Sequence, residues 1–307
     1  MFLMSHRSPK SHPASRRGFT LVEMLVVIGI IAVLAALLLP AVMYAVNAAR
    51  RAAIVLEVNQ LNDAIEAYKK DKGDYPPNFR DPQAFIRHVR RCYPKIAQSE
   101  IDYFFTYNSA TGVYTPTIYV MDEGECLVFW LSKLRNDPRY PFGATGGANS
   151  PYKKYYEFDA QRLVSADSGT VDLNQSYRAK YSRDTFYVYI DSRSYDELVD
   201  FTTAGALPAF AEDSSVPENC VRPYWSENLN PANTSTTAAN SVKFLPMNPT
   251  TFQILCAGLD GHFGYHDSSD PKPDTDVKFF PGGTNYQDED NDNITNFSGG
   301  RLADKIP

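Results

Sequence analysis

The stretch Arg16-Arg17-Gly18-Phe19-Thr20-Leu21-Val22-Glu23, followed by an uncharged run as far as Ala49, decides the architecture of this chain. Between Glu23 and Arg50 lie 26 consecutive residues without a charge, most of them Leu, Val, Ile and Ala. At about 1.5 Å rise per helical residue, roughly 20 of them cross a bilayer core of about 30 Å. The run is therefore read as a membrane-spanning helix. A secretory signal also places an apolar run behind basic residues, but its run is shorter, about 7–15 residues, and its small-residue cleavage site comes after it. Ala35-Ala36 imitates such a site, whereas Gly18, with Arg16 and Arg17 before it, precedes the run.

Charge is divided around that run. Residues 1–18 hold Arg7, Lys10, Arg16 and Arg17 and no acid, a balance of +4; the whole chain carries −6, so the remainder carries −10. The four leader charges outnumber Arg50 and Arg51 beyond the span, which keeps the leader on the cytoplasmic side and sends the remainder outward. An acidic exterior with a pI near 5.4 argues against nucleic acid as a partner, because phosphate binding needs a basic surface. At 43% hydrophobic and 13% aromatic residues, global disorder, a collagen and a polytopic membrane protein are excluded. The 20 Tyr and 18 Phe point to half-buried strands. A length of 307 residues accommodates an anchor plus one fair-sized domain, or two small ones.

The helix continues past the span. Ile54, Val58, Leu61, Ile65 and Tyr68 recur on one face of a 3.6-residue helix, with Glu57, Gln60, Asp63 and Glu66 placed on the other. Lys69 and Lys70 suit a helix C-terminus, and Gly73 followed by Pro76-Pro77 ends it. From Phe19 to about Lys72 this makes one helix of roughly 80 Å. The expected organisation is a leader over 1–18, an apolar helix over 19–47, its amphipathic continuation over 48–73, and an extracytoplasmic α+β domain over 74–307. The expected fold is α+β, a long N-terminal membrane-spanning helix packed on an antiparallel sheet domain. Within that domain Asp122 caps a short helix reaching Leu134, with Leu127, Val128 and Leu131 inward. Strands are expected at Tyr103–Tyr107, Val113–Val120, Tyr155–Phe158, Thr185–Asp191 and Phe252–Cys256, and loops over 143–150 and 226–241.

Residues around the junction have a chemistry of their own. Gly18 has no side chain, so a membrane protease can bring its catalytic groups close to the peptide bond after it. Glu23 is an ionisable group at the edge of a membrane helix, costly there unless partnered. Pro40 removes one helical hydrogen bond. Together, Gly18-Phe19, Glu23 and Pro40 in this register resemble a type IV prepilin. The resemblance implies cleavage between Gly18 and Phe19 by a prepilin peptidase and N-methylation of Phe19. It also implies that Glu23 serves as counter-charge to the N-terminal amine of a neighbouring subunit. The stretch Leu61-Asn62-Asp63-Ala64-Ile65-Glu66-Ala67-Tyr68, with Gly73-Asp74-Tyr75-Pro76 after it, is similar to the helix exit of G-type pseudopilins of type II secretion. That likeness implies a non-enzymatic structural subunit in the bacterial inner membrane, with its C-terminal domain outside the cytoplasm, assembling with itself and with other pilin-like subunits.

The tail is rich in acids, nine between Asp260 and Asp292 against Lys272 and Lys278. Ala257-Gly258-Leu259-Asp260-Gly261 followed by Asp290-Asn291-Asp292-Asn293 resembles the calcium loop of G-type pseudopilins. That resemblance implies Ca2+ held by Asp260 with Asp290 or Asp292, by Asn293, and by the Ala257 carbonyl. A hard cation takes 6–8 such oxygens; a solvated acidic loop is the plainer reading of the same charge run. The segment between Gly264 and Asp288 is much longer than the family's loop. His262 and His266 have i, i+4 spacing without an evident third zinc ligand, and the chain carries no nucleophile elbow, phosphate loop or His-Glu-x-x-His. Cys92, Cys126, Cys220 and Cys256 allow three disulfide connectivities or buried thiols. A non-polymerising anchored binding module is the main alternative to a structural subunit, and an anchored enzyme the next. Processing is tested by N-terminal analysis of membrane-extracted protein: the chain should begin at N-methyl-Phe19, and a chain beginning at Met1 or cut beyond Leu37 overturns the reading.

Overall fold

The computed structural model describes residues 19–117, 121–147, 149–165, 173–182, 185–195, 221–232, 243–264 and 277–307. Its first element, α1, is one helix over Leu21–Lys72 that passes through Pro40 without a break. Lys69, Lys70 and Lys72 occupy its last turn, where they oppose the helix dipole. Gly73 then leaves the helix at φ +81° while its N–H bonds the Lys69 carbonyl at 2.7 Å. Only glycine adopts that left-handed backbone without strain.

The chain divides into two compact units, Met1–Ala48 and Ala49–Pro307. In the first, the described helix is bare. Leu21, Val22, Leu25, Ile28, Val33 and Leu37 are all exposed, and the helix is long and apolar enough to cross a membrane.

In the second unit, residues 49–72 of α1 enter the core. Ile54, Val58, Leu61, Ile65 and Tyr68 are buried, as their spacing requires, and Ala64 joins them. Gln60, Asp63 and Glu66 face outward. Glu57, placed with them by the sequence pattern, does not: it is buried and accepts four side-chain hydrogen bonds. Arg162 grips it with both terminal guanidinium nitrogens, at 2.6 and 2.8 Å. Tyr177 donates to Oε1 at 3.1 Å and Tyr187 donates to Oε2. A carboxylate offers about four lone-pair sites, and this one fills all of them.

The remaining elements are α2 (Pro82–Cys92), α3 (Gln98–Phe104), β1 (Phe105–Asn108), β2 (Val113–Pro116), α4 (Glu123–Ser132), β3 (Leu163–Ser165), β4 (Gln175–Tyr177), β5 (Val188–Asp191), β6 (Tyr224–Leu229), β7 (Phe244–Pro246), β8 (Phe252–Cys256), β9 (Lys278–Phe280) and β10 (Ile294–Thr295). The arrangement is α+β. Strands β1–β2 and β3–β4 pair in two-stranded sheets, and two three-stranded sheets run in the orders β10-β8-β5 and β7-β6-β9. Among the described residues, pairing is antiparallel except for β6 with β9. Successive side chains on a strand point to opposite faces, and the β10-β8-β5 sheet uses both. Tyr189, Phe252, Ile254 and Cys256 join the larger core with α1, α2 and α4; Val188, Ile190 and Leu255 join a smaller one with Tyr224, Trp225 and Phe279.

The structure corrects several sequence expectations. Asp122 caps α4 through a capping box with Glu125, but all ten residues of α4 are buried, so no solvent face exists. Helix α2 has no counterpart among those expectations, although Asp81 accepts from the Gln83 and Ala84 amides and Pro82 opens the first turn, a readable start signal. Tyr103 belongs to α3, the expected strand at Thr185 begins at Val188, and Tyr155–Phe158 makes no strand. Residues 226–229 of the expected loop belong to β6. Cys92, Cys126 and Cys256 are free thiols, the latter two buried; Cys220 lies outside the described residues.

Burial pushes the Glu57 carboxyl up, but the Arg162 and Tyr187 hydrogen bonds and the Arg162 charge outweigh it and hold it below the usual carboxylate range. A depressed carboxyl pKa stabilises the fold above the unfolded value, about 4.3, and that contribution is lost as pH falls through the folded value. Arg162→Met leaves the carboxylate buried and unpaired, which should cost about 3–5 kcal/mol. Denaturant unfolding of the full chain in detergent checks this; the deficit should shrink as pH falls, because protonation relieves the stranded carboxylate of the variant and removes the ion pair of the wild type.

Candidate functional site

Two regions carry the functional residues expected from the sequence. The first is the start of α1. Phe19 is exposed, and Gly18 lies outside the described residues. Thr20 and Glu23 bond reciprocally: the Glu23 amide donates to the Thr20 hydroxyl at 3.2 Å, and the Thr20 amide donates to Glu23 Oε2 at 2.8 Å. This is a capping box, which satisfies two of the orphan N–H groups that every helix start leaves. The Thr20 hydroxyl also donates to Oε2, at 2.9 Å. Sequence reasoning assigns Glu23 a counter-charge and misses its part in the cap, although Thr-x-x-Glu before an apolar run is the signature. Pro40 lies well inside the helix.

The second region is the acidic tail. Here β10 pairs with β8 through Ile294 opposite Cys256 and Thr295 opposite Leu255. Asn296 extends the closure: its Oδ1 accepts from the Ile254 amide at 3.0 Å, and its Nδ2 donates to Asn62 on α1 at 3.1 Å. Two glycines admit the tail. At Gly264 (φ +70°) an added Cβ would meet Asp290 Oδ2 at 2.6 Å; at Gly258 (φ +69°) one would overlap the Asp292 carbonyl oxygen.

The five expected calcium donors do not come together as one set. Asp290 and Asn293 are buried and turn onto Tyr224, whose hydroxyl donates to Asp290 Oδ1 at 2.6 Å and accepts from Asn293 Nδ2 at 2.9 Å. Asp292 points elsewhere. Its Oδ2 accepts from the Leu259 amide at 2.6 Å, and its Oδ1 lies 3.4 Å from Arg51 Nε. Asp260 accepts from the His262 amide. Burial pushes the Asp260 carboxyl up, the His262 bond works against this, and the nearby Asp292 charge adds to the rise. Ala257 is buried in the core. Among the described residues no three His, Cys, Asp or Glu side chains form a metal-holding group. Asp267, Asp270, Asp274, Asp276 and His266 lie outside the described residues.

With both regions placed, comparison with known proteins singles out the first. The chain carries a prokaryotic N-terminal methylation motif. It matches residues 13–39, which include Gly18, Phe19 and Glu23. In its N-terminal region the chain is also similar to proteins named type II secretion system core protein G. Identity is 40% over 72 residues with that of Klebsiella michiganensis, covering 24% of this chain and 51% of the relative. It is 39% over 71 residues with that of Klebsiella pneumoniae, covering 23% and 51%. For Pectobacterium carotovorum subsp. carotovorum it is 38% over 71 residues, covering 23% and 46%. The chain thus spans about half the length of the curated relatives it matches. No solved structure matches. The tail loop lies outside the region of similarity, so its chemistry must be read from its own contacts.

The two kinds of glycine in the tail separate strain from crowding. Gly299 also has positive φ, +63°, but open space around it. Gly299→Ala should therefore cost only the backbone penalty, about 1–2 kcal/mol, whereas Gly258→Ala must in addition displace the Asp292 backbone. Thermal unfolding of the two variants should show the larger loss at Gly258.

Proposed function

We propose that this chain is a structural subunit of a pilin-like filament, a type II secretion pseudopilus or a pilus, and not an enzyme. The observation that carries the reading is the bare apolar stretch of α1 with one carboxylate, Glu23, at its start, within the methylation motif. In this reading a prepilin peptidase cuts after Gly18, Phe19 is N-methylated, and the helix anchors the chain in the inner membrane until assembly. Apolar burial, worth about 25 cal/mol per Å² when taken from water, does not drive helices together in lipid, whose tails are equally apolar. Side-chain packing and a desolvated charge pair must do so. Cleavage would create an amine at Phe19; the Glu23 carboxylate is the one charge among residues 19–49 that can neutralise the amine of an adjacent subunit.

A second reading, an anchored binding module that does not polymerise, is favoured by an open cavity of about 320 Å³ lined by Asp74, Ala84, Arg87, His88, Arg91 and Arg193.

Because Glu23 also caps its own helix, Glu23→Ala alone is ambiguous. Glutamine preserves a capping box and removes the charge. Glu23→Gln should leave membrane insertion and outer-domain stability unchanged while lowering incorporation into filaments as far as Glu23→Ala does. Electron microscopy and shear-fraction yield measure this; wild-type filament levels in Glu23→Gln would refute the counter-charge, and no filaments from the wild type on overexpression would favour the binding module.

A further inference from the structure

The buried half of the acidic tail is organised around a lysine. Lys278, the first residue of β9, is 6% exposed, and Asp290 is fully buried. The Lys278 ammonium lies 2.6 Å from Asp290 Oδ1, 2.8 Å from the Gly264 carbonyl oxygen and 3.3 Å from that of Phe263. An ammonium has three donors, and each has an oxygen here. The Tyr224 ring stands 5.9 Å away, within cation–π reach. Asp290 is equally engaged: Tyr224 donates to Oδ1 and the Gln287 amide donates to Oδ2 at 2.8 Å. Asn293 Nδ2 closes the ring by donating to the Phe263 carbonyl at 3.0 Å.

One carboxylate and two backbone carbonyls converging on a positive centre are what a hard cation selects. In this chain the positive centre is covalently attached. We propose that the Lys278 ammonium is the resident cation of the tail loop, so that the tail closes on β8 without a divalent ion. The lysine bridges three segments distant in sequence: β9, the Phe263-Gly264 turn and the Glu289–Asp292 turn. Through Tyr224 it reaches β6, and through Ile294 the same segment reaches β8. A divalent ion on Asp290 would have to displace a buried ammonium from the carboxylate and the two carbonyls that hold it, or sit beside it with two cations facing one buried carboxylate. The proposal replaces the calcium expectation for Asp290 and Asn293 and does not depend on whether the chain polymerises.

The test is thermal unfolding of the full chain in detergent, with excess calcium chloride and with chelator. The wild-type midpoint should be the same in both. Lys278→Met, which keeps the stem and removes the charge, should lower the midpoint by about 10 °C by stranding Asp290. The double variant Lys278→Met/Asp290→Asn, which removes both charges, should recover most of that loss. A calcium-induced rise in the wild-type midpoint overturns the proposal, as does a Lys278→Met variant as stable as wild type. A double variant no more stable than the single one also overturns it. If Lys278→Met does not fold, the wild-type calcium comparison and the double variant still decide.

Discussion

Glu57 goes into the core with its charge, and much of the outer domain is arranged so that it can. A carboxylate loses several kcal/mol of hydration on burial unless charge and hydrogen bonds replace the water. Replacement comes from Arg162 just before β3, Tyr177 on β4 and Tyr187 just before β5. Arg162 in turn donates to the Arg178 carbonyl, so the guanidinium is held in place before it reaches the acid. One side chain on α1 thereby specifies where two sheets meet the helix. Apolar contacts alone allow a helix to slide or rotate against a sheet at little cost; a filled carboxylate does not.

The same helix presents two kinds of surface. Over 21–48 nearly all of its apolar side chains are exposed, a surface suited to lipid. From Ile54 onward one apolar face, Ile54, Val58, Leu61, Ile65 and Tyr68, is buried against the domain, where burial from water stabilises. The change falls at Arg50 and Arg51, the first charges after Glu23, and Arg51 already belongs to the domain through its contact with Asp292. Pro40 lies on the apolar side of that change, where the one missing hydrogen bond leaves the helix continuous.

Buried charge recurs in the domain, and several such groups are answered from distant segments. Arg80 meets Glu123 and Glu100 accepts from the Phe142 and Thr145 amides, whereas Asp191 is met locally by Arg193. Lys278 with Asp290 is the tail's version. These contacts add little net stability over apolar packing, but a mispaired alternative leaves a charge stranded. In a domain built of short strands, which offer few ladder bonds each, that penalty fixes which segments meet.

What was legible in the sequence was whatever is set by neighbours along the chain. The uncharged run, the 3.6-residue face from Ile54 to Tyr68, the Gly73 exit, the Asp122 cap and the strand Phe252–Cys256 all depend on residues within a few positions. Glu23's capping box and the Asp81-Pro82 start of α2 were equally local, and the signals stood in the sequence unread. Tertiary structure alone decided the rest. Glu57 sits among polar residues at helix-surface spacing, and only Arg162, 105 positions away, makes its burial tolerable. α4 looked one-sided because its other face is covered by segments the pattern does not contain. Asp290 and Asp292 are two residues apart and look alike, yet one faces Lys278 and the other the Leu259 amide. Local sequence states how a segment can fold and where it carries charge. Which distant group neutralises that charge depends on chain closure over a hundred residues, and no short-range pattern encodes it.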